Sequence, residues 1–350
     1  MSNVVEEAEA EFCEIGESET SVPDPVLTGL VLRANSGQFV VQPNSPSVDA
    51  SLQITCTLRG NLRKSLTFST SGSNPRRVTK AKQSHNLDVV AVGDRVVYTL
   101  LDDGSGIIEE VLPRSTRFAR SSFRGVEQTM ITNLDQLVVV FACAEPNPDL
   151  WRIDRWLIAA KSMNIEPLLV ANKRDKVSDE VYEAAFGEFA RIGYRVIATS
   201  ARTGQGLDEL QAALRGRISA FSGPSGVGKS SLLNAIQPGL KLATGEVGEI
   251  TFKGKHTTTV RELIPLTCGG WVADTPGLRN LELLRMDRDD LIHSFDEFAA
   301  HIKTACRFRN CKHLNEPGCN IKEAVESGAI SRRRYESFLQ LARECEAPAR

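Results

Sequence analysis

Gly223-Pro224-Ser225-Gly226-Val227-Gly228-Lys229-Ser230 is the stretch of this chain that decides its fold. It fits the pattern G-x-x-x-x-G-K-[ST], in which backbone N–H groups and a lysine bind phosphate oxygens. The apolar run 217–222 precedes it, and a helical pattern that begins at Lys229 follows it. Because this motif requires a strand before it and a helix after it, the stretch predicts an α/β domain that binds a nucleotide phosphate.

The residues of this loop have distinct expected roles. The backbone N–H groups of 226–230 should point at the β-phosphate, Lys229 should bridge the β- and γ-phosphates, and Ser230 should bind Mg²⁺. A chance glycine-rich turn is the alternative, which the strand-loop-helix context disfavours. The predicted contacts of the loop are Gly223, Pro224, Ser225, Gly226, Val227, Gly228, Lys229, Ser230 and Ser231.

The residues that would select the base lie upstream of the phosphate loop. Asn172-Lys173-Arg174-Asp175 follows the apolar run 167–171 and fits the Asn-Lys-x-Asp motif of GTPases. The carboxylate of Asp175 can accept hydrogen bonds from both N1–H and the 2-amino group of guanine, a donor pair that adenine lacks. We expect Lys173 to lie along the base and Asn172 to tie the loops together.

A third loop completes the predicted guanine site. Thr199-Ser200-Ala201 follows the next strand pattern, and the backbone of Ser200 and Ala201 should meet guanine O6. Asn-Lys-x-Asp alone is a weak signal because many surface turns contain it. Three motifs, each at the end of a strand, predict a GTP site in a doubly wound α/β sheet. In ordinary small GTPases the phosphate loop comes first, so the order found here indicates a circular permutation.

Two segments downstream of the phosphate loop should sense the γ-phosphate. Asp274-Thr275-Pro276-Gly277 fits the Asp-x-x-Gly motif, so Asp274 should reach Mg²⁺ through water and the Gly277 N–H should contact the γ-phosphate. Between them lies Gly254-Lys255-His256-Thr257-Thr258-Thr259. We expect Thr258 to complete the Mg²⁺ shell, with Thr257 as the alternative. GTP-dependent ordering of two such loops is a common switch.

The residue after Gly277 bears on catalysis. Ras-like enzymes have a glutamine there that orients the attacking water, whereas this chain has Leu278, which cannot hydrogen-bond. His256, in the other predicted switch loop, is therefore the candidate catalytic residue together with Lys229. The alternative is that His256 is a surface histidine without a catalytic task. Slow intrinsic hydrolysis that a partner stimulates is expected in either case.

A cysteine cluster near the C-terminus predicts a metal site. Cys306, Cys311, His313 and Cys319 offer three thiols and one imidazole within 14 residues. Such a set suits one tetrahedral, structural Zn²⁺ with no open coordination position. Three buried free cysteines with a coincident histidine are the alternative, which the basic, polar surroundings disfavour. The other five cysteines are isolated, and the pattern as a whole is typical of a reduced compartment.

Composition and charge limit the class of protein. With 25% charged and 41% hydrophobic residues and no run of roughly 18 apolar residues, we expect a cytoplasmic protein without membrane contact. Residues 1–25 carry eight acidic and no basic residues, which predicts a disordered tail. The segment 59–82 has seven basic and no acidic residues, and 303–334 has eight basic and three acidic. Two such patches favour a nucleic-acid partner, although either alone could be a solvated face.

The remaining patterns divide the chain into domains. Short apolar or β-branched runs at 27–32, 38–42, 52–59, 94–100 and 107–111 predict a five-stranded OB-fold barrel, with 59–82 as a long basic loop. We therefore predict an acidic tail over 1–25, an RNA-binding OB barrel over 26–113, a circularly permuted P-loop GTPase domain over 114–284, and a mainly helical zinc-binding domain over 285–350.

This order of motifs and flanking domains resembles the RsgA (YjeQ) family, the circularly permuted GTPases of small-ribosomal-subunit biogenesis. The resemblance covers roughly residues 26–345 and includes Leu112-Pro113-Arg114-Ser115 and Asn133-Leu134-Asp135-Gln136. It implies a GTP hydrolase that binds the 30S subunit and its 16S rRNA late in assembly, is stimulated by the subunit, and leaves after hydrolysis. The proposed catalytic histidine of the family falls on His256.

Three functions remain open from the sequence. We expect a monomer that binds GTP or GDP with Mg²⁺, carries one structural Zn²⁺ and acts on the small subunit. A permuted GTPase of the large subunit or of another RNA is the second possibility. An RNA-binding scaffold that holds GTP with little turnover is the third, and the presence of Lys229, Ser230, Asp274 and His256 argues against it.

Overall fold

The computed structural model describes residues 27–35, 37–44, 52–60, 62, 64–68, 78–83, 89–121, 127–240, 262–274, 288–302 and 306–346. The strands are β1 (Leu27–Asn35), β2 (Gln38–Pro43), β3 (Ile54–Leu58), β4 (Lys64–Phe68), β5 (Val78–Gln83), β6 (Arg95–Leu100), β7 (Gly106–Val111), β8 (Arg117–Ser121), β9 (Glu127–Thr132), β10 (Gln136–Ala142), β11 (Glu166–Asn172), β12 (Arg195–Ala198), β13 (Ile218–Ser222), β14 (Glu262–Pro265) and β15 (Trp271–Asp274). The α-helices are α1 (Leu150–Ser162), α2 (Asp179–Arg191), α3 (Leu207–Leu214), α4 (Lys229–Ile236), α5 (Arg288–His293), α6 (Ala299–Ile302), α7 (Asn320–Glu326) and α8 (Arg332–Glu346).

The N-terminal strands close into the predicted five-stranded barrel. They pair in the order β1-β2-β3-β7-β6, and β6 returns to β1. The β3–β7 pair is parallel and the others are antiparallel. Buried residues alternate with more exposed ones along β2, β3, β6 and β7, as in β2, where Phe39 and Val41 are buried between more exposed neighbours. The OB-type barrel is therefore confirmed.

Two hairpins were not predicted. The segment 59–82 was expected to be one long basic loop, but β4 and β5 form an antiparallel hairpin within it. That prediction was wrong because the Ser/Gly/Asn-rich run at 69–74 suggested a loop throughout, whereas these turn-forming residues lie between two strands. A second antiparallel hairpin, β8–β9, leads from the barrel into the GTPase domain.

The central domain is the predicted doubly wound sheet. Its strand order is β12-β11-β10-β13-β15-β14, with parallel pairing except for the antiparallel pair β14–β15. One face packs against α1 and α2, and the other against α3 and α4. Every residue of β10 is buried, as expected for a central strand covered on both faces. Helix α4 begins at Lys229, as the helical pattern after the phosphate loop predicts.

The C-terminal region is helical, as predicted. Helices α5, α7 and α8 enclose an apolar core that includes Leu291, Phe295, Phe298 and Phe338, and Cys319 of the cysteine cluster belongs to the same core. Ile158 of α1 also lies in it, so this region packs directly on the GTPase domain. Among the described residues, none of the helices combines the length and the apolar character needed to cross a bilayer.

The barrel is joined to the GTPase sheet by strand pairing and by a buried aspartate. Arg33 of β1 pairs with Glu262 of β14, both through the backbone and through an ion pair. Asp94, just before β6, is completely buried. Its carboxylate accepts two bonds from the Arg114 guanidinium at 2.8 and 2.7 Å and one from the Thr132 hydroxyl at 2.7 Å. We call this set the barrel junction.

The C-terminal region is joined to the GTPase domain by a second buried aspartate. Asp154 of α1 accepts bonds from Arg334 at 2.5 Å, from Arg333 at 2.6 Å and from the Ser337 hydroxyl at 2.6 Å, all on α8. Arg334 also donates to Glu297 at 2.6 Å. We call this set the C-terminal junction.

Candidate functional site

The carboxyl ends of four neighbouring parallel strands bring the predicted nucleotide motifs together. Strand β11 ends at Asn172, β12 leads into Thr199 and Ser200, β13 leads into Gly223, and β10 leads into the loop 143–149. These strands are adjacent in the sheet, in the order β12-β11-β10-β13. Ligands of doubly wound folds bind at this edge. The fold therefore places the base-selecting loops beside the phosphate loop despite their inverted order along the chain.

Close backbone approaches explain two glycines of the phosphate loop. Gly223 has φ 142°, and a Cβ there would lie 2.1 Å from the Val140 carbonyl oxygen of β10. Gly228 has φ 95°, and a Cβ there would lie 2.4 Å from the side-chain nitrogen of Asn172. A side chain at 223 would displace the backbone of β10, and one at 228 would displace the Asn172 side chain. The pattern G-x-x-x-x-G-K-[ST] is thus needed for the loop to fit between β10 and the guanine-side loop.

Lys229 is the first residue of α4, and 92% of its surface is buried. Its ammonium group donates to the carbonyl oxygens of Gly223 at 2.8 Å and Pro224 at 2.7 Å. The positive charge therefore lies against the phosphate loop, at the N-terminus of the helix, where anions are favoured. Ser230 and Ser231 follow it in the first turn of α4.

Asn172 ties the loops together, as the sequence predicts. Its side-chain nitrogen donates to the Val227 carbonyl oxygen of the phosphate loop at 2.8 Å. Its side-chain oxygen accepts from the Thr199 hydroxyl at 3.3 Å and from the Ala201 N–H at 3.4 Å. One buried amide thus connects the phosphate loop to both guanine-side loops, and it can do so because it offers a donor and an acceptor at once.

Asp175 is arranged as a hydrogen-bond acceptor. One carboxylate oxygen accepts from the Ser200 hydroxyl at 2.6 Å, and the other accepts from the Arg202 guanidinium at 3.0 and 2.6 Å. The bonds from Ser200 and then from Arg202 hold the pKa of Asp175 below its ordinary value. The group is therefore ionised at neutral pH and presents only acceptors, which is what the two donors of guanine require. Arg202 was not among the predicted residues.

A loop that the motifs did not predict lies between the two halves of the site. Lys173, which has φ 59°, donates to the Glu145 carbonyl oxygen, and Lys176 forms an ion pair with the Glu145 carboxylate. A Cβ on Gly226 would lie 3.7 Å from Pro146. The loop 143–149 thus contacts both the guanine side and the phosphate loop. This loop directly follows a fully buried strand, and that position in the sequence was the signal from which its role could have been predicted.

Several predicted residues fall outside the described part of the chain. These are Gly254, Lys255, His256, Thr257, Thr258, Thr259 and Gly277. The backbone of Asp274 is described as the last residue of β15, adjacent to β13, so it follows the same edge of the sheet. The roles assigned to these residues in Mg²⁺ binding and catalysis remain predictions.

The cysteine cluster is brought together as its spacing predicts. The ligand atoms of Cys306, Cys311, His313 and Cys319 all lie within 4.8 Å of one another. Nδ1 of His313 lies 3.3 Å from the Cys319 sulfur and 3.7 Å from the Cys306 sulfur. Burial is the main reason that the pKa of the Cys311 thiol rises to about 12. The Cys311 sulfur therefore needs a nearby cation to be held as a thiolate. Three sulfurs and one nitrogen converging on one point fit a tetrahedral site.

Neighbouring groups hold the ligand loop in shape. The Glu316 carboxylate accepts from the backbone N–H groups of Lys312, Leu314 and Asn315 at 2.9, 2.9 and 3.1 Å. Partial burial opposes its ionisation, but these bonds outweigh it and lower the pKa of Glu316 to about 2. The Tyr335 hydroxyl of α8 donates to the His313 carbonyl oxygen at 2.8 Å. The cluster is thus attached to the same helix that forms the C-terminal junction.

Comparison with known proteins decides the family. The family model described as RsgA GTPase matches residues 111–284. The small ribosomal subunit biogenesis GTPase RsgA of Moorella thermoacetica is 46% identical over 252 residues, which cover 72% of this chain and 83% of that protein. The chain belongs to the RsgA GTPase family. The RsgA protein of Thermotoga maritima is 41% identical over 254 residues, covering 72% of this chain and 82% of that one.

Solved structures agree with this assignment to the RsgA family. The crystal structure of YjeQ from Thermotoga maritima aligns with a TM-score of 0.71 at 33% identity, covering 92% of this chain and 99% of that one. YloQ, described as a circularly permuted GTPase, aligns with a TM-score of 0.69 at 29% identity and covers 95% of this chain and all of its own. This RsgA-family protein is therefore a circularly permuted GTPase, and its inverted motif order is a property of the fold.

Proposed function

We propose that this RsgA-family protein binds the small ribosomal subunit late in its assembly, hydrolyses GTP when the subunit stimulates it, and then leaves. The relatives are named small ribosomal subunit biogenesis GTPases. The observation that carries the nucleotide part is the bridge made by Asn172, which fixes the phosphate loop against the guanine-side loops. The barrel and the cysteine-bearing domain flank this site and provide the surfaces that would grip 16S rRNA.

The chemistry assigned to the described residues follows from their positions. Asp175 selects guanine, with Lys173 along the base and the backbone of Ser200 and Ala201 at O6. Lys229, held at the mouth of the phosphate loop, moves its ammonium from the carbonyl oxygens onto the β- and γ-phosphates and stabilises the charge that develops on them.

The metal roles are proposed on the same basis. Ser230, Thr258 and Asp274 would hold Mg²⁺, which neutralises charge on the phosphate oxygens. His256 orients the attacking water in place of the glutamine that Leu278 replaces, and the Gly277 N–H contacts the γ-phosphate. Cys306, Cys311, His313 and Cys319 would hold one Zn²⁺ whose role is structural, because four protein ligands leave no open position. We further propose that the chain works as a monomer in the cytoplasm, where free thiols persist.

The decisive experiment measures GTP turnover by the protein alone, with purified 30S subunits and with 50S subunits. Stimulation by 30S alone is the expected result, and stimulation by 50S alone, or by neither, would overturn the proposed partner. Asp175→Asn replaces one acceptor by an amide donor, so preference should move from GTP to xanthosine triphosphate, whose 2-position carries an oxygen. Asp179→Asn, four residues on and with a 95% exposed side chain, is the matched control and should keep the preference for GTP.

A further inference from the structure

The turn between two of the cysteine ligands is held rigidly and presents its side chains to solvent. Residues 307–310 connect Cys306 to Cys311, and all four are exposed. The Arg307 N–H donates to the Gly318 carbonyl oxygen at 3.0 Å, and the Cys311 N–H donates to the Phe308 carbonyl oxygen at 3.2 Å. Two backbone hydrogen bonds therefore hold the turn, and its four side chains face solvent.

Phe308 is the feature of this turn that packing does not explain. Five large apolar side chains are exposed among the described residues, and Phe308, at 43%, is the one aromatic among them. The apolar core of the same region, formed by Phe295, Phe298 and Phe338, lies elsewhere. Full burial of a phenylalanine is worth roughly 1.5–3 kcal/mol. A turn that leaves the ring 43% exposed forgoes part of that stabilisation, and the exposed ring is available for contact with another molecule.

Phe308 lies in a basic stretch of the sequence. Residues 306–313 contain Arg307, Arg309 and Lys312 and no acidic residue, and these three side chains are exposed. The Arg307 guanidinium lies 5.8 Å from the centre of the Phe308 ring. The aliphatic part of Arg307 rests on Gly318, where a Cβ would lie 3.0 and 3.3 Å from its Cβ and Cδ. The glycine thus lets Arg307 lie flat beside the ring.

We propose that Phe308 stacks on an unpaired RNA base, while Arg309 and Lys312 contact the phosphates on either side of that base. An aromatic ring framed by cations complements a base framed by phosphates. Bases in a duplex are stacked on each other, so the partner is a loop, bulge or single strand. A membrane or an acidic protein would need no flat ring in a rigid turn. This inference rests on the proposed function and assigns one residue to its RNA contact.

The test uses the full-length, zinc-loaded protein with a non-hydrolysable GTP analogue. Its binding is measured to 30S subunits and, separately, to a short single-stranded poly(A) oligonucleotide. Phe308→Ala should weaken both by roughly 5- to 150-fold, the range found for one lost base–aromatic stack. Phe308→Trp should bind as the native protein does, and Phe308→Leu should bind as weakly as Phe308→Ala. Zinc content and the melting temperature of each variant show that the turn is still formed.

Two matched variants separate stacking from general effects. Val181→Ala removes an exposed apolar side chain, 52% accessible, from α2 in an acidic segment and should leave binding unchanged. Arg309→Ala should reduce the dependence of log affinity on log salt by about one unit, whereas Phe308→Ala should weaken binding without changing that slope. A Phe308→Ala variant with the full salt slope and reduced affinity is therefore the signature of a lost stack.

The outcomes distinguish this inference from the proposed function. If the native protein binds poly(A) in a Phe308-dependent way but does not bind 30S, the stacking site stands and the small-subunit partner is wrong. If it binds 30S and Phe308→Ala binds equally well, the stacking site is wrong and the partner stands. If Phe308→Leu retains full affinity, the ring makes an ordinary apolar contact with a protein, and the inference is overturned.

Discussion

The barrel junction and the C-terminal junction are both built around a buried aspartate, but the arginines that bind the two aspartates differ in their exposure to water. At each, a completely buried aspartate receives an arginine and a hydroxyl group: Asp94 receives Arg114 and Thr132, and Asp154 receives Arg334 and Ser337. The Arg114 side chain is 23% exposed, whereas the Arg334 side chain is 0% exposed. The single arginine of the barrel junction therefore keeps contact with water, whereas the C-terminal junction combines the fully buried Arg334 with Arg333, whose side chain is 28% exposed.

The difference matters because buried charges must be compensated inside the protein. Burial alone would favour neutral Arg334, but Asp154 and Glu297 outweigh it and hold its pKa above the ordinary value. Phe295 lies under the guanidinium, 4.6 Å from ring centre to Cζ. A buried ion pair adds little net stability over an apolar pair, yet breaking one is costly. The C-terminal junction thus serves to fix one orientation of the cysteine-bearing region on α1, whereas strand pairing already fixes the barrel.

The largest expected effect comes from removing the aspartate of the C-terminal junction. Asp154→Ala leaves Arg334 buried beside Glu297 without its main partner, so the free energy of unfolding should fall by about 3–5 kcal/mol. Chemical denaturation, followed by a probe on α8, measures it. Asp149→Ala is the matched control on the same helix: it removes only the cap of α1, which donates no charge to the junction, and should cost about 1 kcal/mol. An Asp154→Ala cost no larger than that of the control would refute the buried-charge explanation.

A double variant sharpens the same point. Asp154→Leu combined with Arg334→Met, in a Glu297→Gln background, replaces the ion pair by apolar side chains of similar size and leaves no unpaired carboxylate beside position 334. Its stability should lie within about 1.5 kcal/mol of the native value, far closer than either variant alone. If the double variant is as unstable as Asp154→Ala, the network stabilises the fold by itself and does not merely orient the region.

The barrel junction should respond less to the equivalent change. In Asp94→Ala, Arg114 can turn towards water because it is already partly exposed. The remaining cost, about 1–3 kcal/mol, is the loss of the acceptor of the Ala91 N–H and of one of the two acceptors of the Thr132 hydroxyl, which keeps the Val92 carbonyl oxygen. The same denaturation assay, with a probe in the barrel, checks this. Equal losses of stability in Asp94→Ala and Asp154→Ala would show that exposure of the arginine does not reduce the cost of removing its aspartate.

Much of the nucleotide site could be predicted from the sequence because its signals are local. Each motif follows an apolar run, and parallel strands place their carboxyl ends at one edge, so Asn172, Ser200 and Gly223 had to meet. The bridge from Asn172 to Val227 follows from that geometry. The cysteine cluster was equally local, within 14 residues.

The junctions could not be predicted because their partners are far apart in the chain. Asp154 and Arg334 are separated by 180 residues, and hydropathy does not say which charges will pair. One signal was available: Asp154 stands at an otherwise apolar position of α1, between Ile153 and Leu157, where an exposed carboxylate is not expected. The β4–β5 hairpin was missed for a different reason. Its two strands are short, and the stretch rich in turn-forming residues between them is longer than either strand.

The two hydroxyl groups provide a finer comparison of the junctions. Thr132→Val and Ser337→Ala each remove one donor to a buried aspartate, so each should cost about 1 kcal/mol. Similar values would show that the junctions differ through their arginines and not through their hydroxyls. If the costs of the two variants differ by more than about 1 kcal/mol, the hydroxyl groups also contribute to the difference in stability between the junctions.

The smallest effect is a dependence on pH at Glu188 of α2, whose carboxylate pairs with Arg333 of the C-terminal junction. Burial raises the pKa of Glu188 in α2, but the hydrogen bonds from Ser331 and Arg333 lower it by more. The pKa of Glu188 is therefore below its ordinary value of 4.5. A lowered folded-state pKa means that the stabilisation is present above pH 4.5 and is lost as the pH falls through the folded-state value. Glu188→Gln should therefore be less stable than the native protein at neutral pH, and the difference in stability should disappear in acid.

Glu183→Gln, on the exposed side of the same helix, is the control and should stay within about 0.5 kcal/mol of the native protein at every pH. A gap for Glu188→Gln that is constant from neutral to acid pH would mean that Arg333 is held by Asp154 alone.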